Sequence, residues 1–138
     1  MLAQHQSHKT YEFDNYAVDS GQDDEAINVQ LASTESNDIK WLNPGRDLIA
    51  GTYGGEFKIG TGDGSPLTPS NVSVAKQTSW GSEAIVPKKI GNFVYYIQRF
   101  GRKLRELFYT WDLDNYKSVD KTILSPHISG GGFIDIAY

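Results

Sequence analysis

From residue 37 onward, apolar and β-branched residues come in short runs broken by glycine, proline and asparagine, with few matches to a 3.6-residue period. That pattern predicts short strands and tight turns rather than helices. NDIKWL, residues 37–42, reads as a strand ending in a turn at Asn43, Pro44 and Gly45. Two apolar runs, 48–51 and 56–59, flank Thr52-Tyr53-Gly54-Gly55, which predicts a hairpin because glycine supplies the positive φ of a tight turn between twisted strands. TGDGSPLTPSN reads as a surface loop, and NVSVAKQTSW alternates as a further strand. The first 30 or so residues are polar and acidic: 14–25 reads as a loop, and 26–32 as a short strand or helix.

IQRFGRKLRELF, residues 97–108, admits two readings. As a basic amphipathic helix it would suit nucleic acid or membrane, but it would carry Gly101 in its middle at a cost of about 1 kcal/mol relative to alanine. As a hairpin it places Gly101 in the turn after the β-favouring run Phe93-Val94-Tyr95-Tyr96-Ile97. On the far arm Leu104, Glu106 and Phe108 share one face and Arg105, Leu107 and Tyr109 the other, so the strand is expected to be covered on both sides. Tyr95 and Tyr96, being adjacent, must point oppositely. The hairpin reading gathers Arg99, Arg102, Lys103 and Arg105 at its tip as a candidate interaction site, for a protein neighbour rather than DNA.

A shift of 46 residues superposes Ile85 on Ile39, Gly91 on Gly45, Val94 on Leu48, Tyr95 on Ile49 and Gly101 on Gly55. Repeats of about 40–50 residues with some four short strands each are the signature of β-propeller blades. FIDIAY at 133–138 echoes NDIKWL and reads as the first strand of a third unit. The predicted fold class is therefore all-β: antiparallel blade-like sheets, a fragment of a β-propeller with about two blades plus the first strand of a third. The organisation expected is a polar acidic segment over 1–36 and a repeated β-blade region over 37–138. Two blades and a strand cannot close a ring, so the chain is expected to be a piece of a longer protein or to have its open faces covered by other chains.

Composition adds limits. The chain of 138 residues has no cysteine, which excludes disulfides, thiolate metal sites and a cysteine nucleophile. Thirteen basic against 17 acidic residues leave a net charge of -4, which argues against a generic nucleic-acid coat. The distribution is lopsided: residues 12–38 hold acids and no Lys or Arg, while 88–105 hold Lys88, Lys89 and the four tip cations with no acid. Such polarity suits head-to-tail contact between copies or neighbours. No apolar run approaches a membrane span, and the opening residues carry no export signal pattern.

Candidate chemistry is sparse. His5 and His8 have a spacing that could share a metal, but on a polar terminus without adjacent acids they read as a tail. Ser125, His127 and Asp135 can be assembled on paper into a triad, without any nucleophile-elbow context. DSGQDDE at 19–25 lacks the ligand spacing of a calcium loop. GTYGGEFKIGTGDG lacks the Gly-Lys-Ser/Thr end of a phosphate loop, and Asn71 heads a bare glycosylation sequon. Asp112 and Asp114 read as flanking a turn. Trp41, Trp80, Trp111 and eight tyrosines read mainly as core or interface, with a sugar platform as the alternative use.

The order LTPSN, TSWGS, a proline, GNFVYYIQRFGRKLRELFY and a stretch ending DKTILSPHI, preceded by DDEAINVQLASTESNDIKWLNPGRDLIAGTYGGEF, resembles a segment of the large structural proteins of short-tailed bacteriophage tail tubes or nozzles and of their prophage relatives. The resemblance covers roughly residues 11–138 and rests on the order of motifs rather than on any one of them. It implies a much longer protein with a β-propeller, assembled as a ring around the tail channel and without catalytic role. The resulting expectation is a non-enzymatic virion component, made in the host cytoplasm and placed in the tail. It would need no cofactor, and its partners would be other tail proteins and copies of itself, with no membrane and no sequence-specific nucleic acid. The alternative is a carbohydrate-binding or glycan-processing β-propeller fragment used in host attachment, and a nucleic-acid module using 88–105 stands third.

Overall fold

The structure, a computed structural model, describes residues 38–138 together with Ala26, Ile27 and Leu31. Apart from those three, the expected segment over 1–36, with its acidic loop, its strand or helix at 26–32 and His5 and His8, lies outside the described residues. The chain divides into two compact units, residues 1–31 with 60–74 and residues 32–59 with 75–138.

The described part of the first unit is mostly the TGDGSPLTPSN loop, and its polar side chains close it. The Asp63 carboxylate accepts from Ser65 N and Oγ at 3.1 and 2.7 Å, while Asn71 accepts from Thr68 N at 2.8 Å and donates to Pro66 O at 2.9 Å. Asx-type bonds of this kind substitute for a ladder where proline and glycine forbid one. The Asn71 amide of the sequon is thus engaged within the loop.

The strands are β1 (Ile39–Asn43), β2 (Leu48–Thr52), β3 (Gly55–Gly60), β4 (Ser73–Thr78), β5 (Lys88–Ile90), β6 (Phe93–Ile97), β7 (Leu104–Thr110) and β8 (Asn115–Asp120). They form two four-stranded sheets of identical order, β1-β2-β3-β4 and β5-β6-β7-β8, each an antiparallel meander where pairing is defined. The all-β expectation and the four-strand repeat agree with this architecture. The 46-residue shift holds as far as the second strand and then fails. The first hairpin turns through two residues, Tyr53 and Gly54, closed by the Thr52 and Gly55 pair, whereas the second leaves Ile97 and returns at Leu104. Gly55 therefore opens a strand while Gly101, its partner under the shift, remains inside a longer turn.

The third-unit strand expected at 133–138 does not form. A strand exists only as part of a ladder, and this segment takes one backbone bond to the second hairpin, Phe133 N to Gly101 O at 2.7 Å, after which Ile134 and Tyr138 stand exposed. Asp112 and Asp114 lie in the β7–β8 turn, as expected.

The core of the second unit joins the two sheets. Trp41 and Ile49 from the first meet Val94, Tyr96, Leu107 and Tyr116 from the second, with the Trp41 and Tyr96 rings 5.5 Å apart and tilted. Trp41 lies opposite Gly51 in the β1–β2 register, and a β-carbon on Gly51 would come 2.1 Å from the indole, so glycine is what lets the ring lie on β2. The predicted split of the tyrosine pair is realised. Tyr96 is buried in the core, while Tyr95 points away and donates to Glu106 at 2.6 Å.

Candidate functional site

The structure separates the four cations gathered at the hairpin tip by the sequence reading. Arg102 is exposed, and Lys103 reaches Asp120 at 3.2 Å. Arg99 lies half-buried over the rings of Tyr53 and Phe100, 5.4 and 5.6 Å from their centroids. Arg105 is withdrawn altogether: it is 3% exposed, donates from Nε to Gln98 Oε1 at 2.6 Å and from a terminal nitrogen to Ser118 O at 3.4 Å, and stacks on Trp80 at 3.6 Å. Its position on the Leu107 face of β7 turns it toward the first sheet, which the alternation of β7 foreshadows.

What draws Arg105 inward is a buried polar cluster. Glu56 on β3 is fully buried and accepts from Ser82 Oγ at 2.8 Å and from Thr78 Oγ1. Burial pushes the Glu56 carboxyl above its ordinary value, against the opposing pull of Thr78, Ser82, Tyr96 and the Arg105 charge. Tyr96, bonded to Ser118 Oγ at 2.8 Å, is pushed up by the same burial and by the neighbouring Glu56. Hydroxyls and a guanidinium around a buried carboxyl satisfy it, and the group ties the two sheets together. On the opposite face of the second sheet, burial alone would raise Glu106, but the Tyr95 hydroxyl and Lys121, 2.9 Å away, hold it below the usual carboxylate range.

A second grouping lies in a cleft of about 320 Å³ lined from both sheets of the second unit. Arg46, just past the Asn43-Pro44-Gly45 turn, stands over the rings of Tyr109 and Trp111, at 4.5 and 4.3 Å from their centroids. The two rings meet edge to face at 5.0 Å. Asp47 accepts from the Tyr116 hydroxyl at 3.0 Å and pairs with Lys58 at 3.7 Å. Tyr116 is raised by burial first and by that bond to Asp47 second. Lys89 and Asn92 complete the polar wall, and Phe93 and Phe108, 6.0 Å apart, form the apolar one. The sequence reading missed this cleft. One signal was available: Trp111 falls in a turn among aspartates, where a large ring has no sheet to fill.

The remaining candidates do not assemble. No hydrogen bond links Ser125, His127 and Asp135, and Asp135 Oδ1 instead accepts from Ile136 N at 2.8 Å. Among the described residues, no three His, Cys, Asp or Glu side chains are placed to hold a metal ion. No helix among them is long and apolar enough to cross a membrane.

No protein-family model matches the chain, and no curated protein matches it.

Proposed function

We propose that the chain is a non-enzymatic structural component of a phage tail, a propeller-like segment that assembles with other tail proteins and with its own copies around the path of DNA exit. The observation that supports this reading is the pair of successive four-stranded meanders with the same strand order that share a core, as neighbouring propeller blades would. The motif order resembling tail nozzle proteins supplies the phage context. Exposed Ile123, Leu124, Ile128, Ile134 and Tyr138 offer apolar surface to such neighbours. Native mass by sedimentation tests the reading: a defined oligomer is expected, and a monomer at all concentrations counts against it.

A second reading, a carbohydrate-binding propeller fragment for host attachment, is favoured by a different observation. Trp111 is 76% exposed at the rim of the Arg46 cleft, with polar side chains converging beside it.

A further inference from the structure

The cleft holds more recognition chemistry than the fold uses. Arg46 makes no hydrogen bond or ion pair among the described residues; its guanidinium lies over the Tyr109 and Trp111 rings. A guanidinium held over aromatic rings without an ion pair keeps N–H donors for a further acceptor, and its fork suits bidentate capture of a carboxylate. Lys89 likewise has no acceptor among the described residues and reaches toward the same turn, its Nζ 3.2 Å from where a Gly45 β-carbon would be. The one carboxylate in the lining, Asp47, is engaged by Tyr116 and Lys58. The free charged groups of the cleft are therefore cationic, whereas the chain as a whole is acidic.

The second half of the pattern is a ring surface. Arg46 occupies part of Trp111, yet that side chain remains largely exposed, leaving apolar area against which the C–H face of a sugar can lie. Asn92, exposed beside it, adds an amide that both donates and accepts, as sugar hydroxyls require. The volume is at the lower end of small-ligand clefts, which favours one sugar unit over an extended chain.

We propose that this cleft binds a carboxylate-bearing pyranose, a uronic or sialic acid unit of an acidic glycan, with Arg46 and Lys89 on the carboxylate and Trp111 under the ring. The inference rests on the carbohydrate reading and names its ligand class. Calorimetric titration of the full chain with oligogalacturonate, its methyl ester, and N-acetylneuraminic acid tests it. At least one acid is expected to bind, and oligogalacturonate to lose affinity on esterification. Arg46→Met and Trp111→Ala should each weaken binding about tenfold or more, with Arg46→Lys recovering only part because an ammonium lacks the fork. Both positions are exposed, so unchanged melting curves are expected for the variants. Equal binding of acid and ester overturns the carboxylate assignment and leaves the carbohydrate reading standing. Binding of none of these sugars or of neutral galactan overturns both. Tighter binding of a nucleoside monophosphate or of polyglutamate than of any sugar acid also overturns the proposal.

Discussion

The contact between Gly51 and Trp41 offers a test of how the first sheet is held together. A β-carbon at position 51 would lie 2.1, 2.4 and 2.5 Å from three indole atoms, while ordinary contact begins at 3.4 Å, so the ring would have to retreat by about 1.3 Å. Trp41 is 6% exposed and backed by Tyr96, so the retreat is into close-packed core. Overpacking typically costs about 1–3 kcal/mol, and complete ejection of a buried Trp about 3–5 kcal/mol, so Gly51→Ala is expected to destabilise by about 3 kcal/mol. Gly51 is not among the positive-φ glycines, so alanine itself would be accepted by the backbone and would gain about 0.4–1 kcal/mol by restricting the unfolded chain. In a Trp41→Leu background the clash is gone, and the same substitution should be neutral or stabilising. Urea unfolding followed by far-UV circular dichroism measures the cycle without relying on Trp41 as reporter, and a coupling of about 3–4 kcal/mol is expected. An equal cost of Gly51→Ala in both backgrounds would refute the contact as the reason for glycine.

Two further outcomes follow from single groups. Glu56 has a folded pKa raised above its ordinary 4.5, so its contribution to stability is full below that pH and is lost as pH rises through the folded value. Glu56→Gln should therefore gain on the parent protein as pH rises above 4.5 and level off once pH passes the raised folded value; Glu106 and Asp120, whose lowered values act in the opposite sense, are common to both and cancel. Urea midpoints across pH 4–8 measure the difference, and a gap that is constant or shrinks with pH contradicts the assignment. Phe100 holds φ at 74° while 70% exposed, so Phe100→Gly should stabilise by up to about 1 kcal/mol in thermal melts, as the left-handed strain exceeds what its edge contact with Tyr53 returns. A clear loss of stability would mean that the ring contact outweighs the strain.

The candidate site was the least legible part. The sequence shows that four cations lie near one turn, but neighbours in sequence around a strand alternate between faces, and only the packing partner decides which face is inside. Arg105 shares the Leu107 face and meets Glu56, a residue 49 positions earlier; nothing local to either identifies that meeting. The Arg46 cleft is similar, since its parts come from the β1–β2 turn, the β5–β6 hairpin and the β7–β8 turn.

What the sequence determined by itself was most of the strands and their punctuation, though not β5 or β8. Alternation, β-branched and aromatic runs, and turn residues act within a few positions, so NDIKWL, the Tyr53-Gly54 hairpin, the Asp63–Asn71 loop and the Phe93–Ile97 arm could be read without partners. What the tertiary structure alone decided was everything that depends on a second surface. It decided that FIDIAY lacks a ladder and stays out of the sheets, that Arg105 is inside while Arg102 is out, and that Arg46 lies on Tyr109 and Trp111. Local propensity is a property of the chain, but burial and pairing are properties of two segments at once, and their energies exceed the local preferences wherever the two compete.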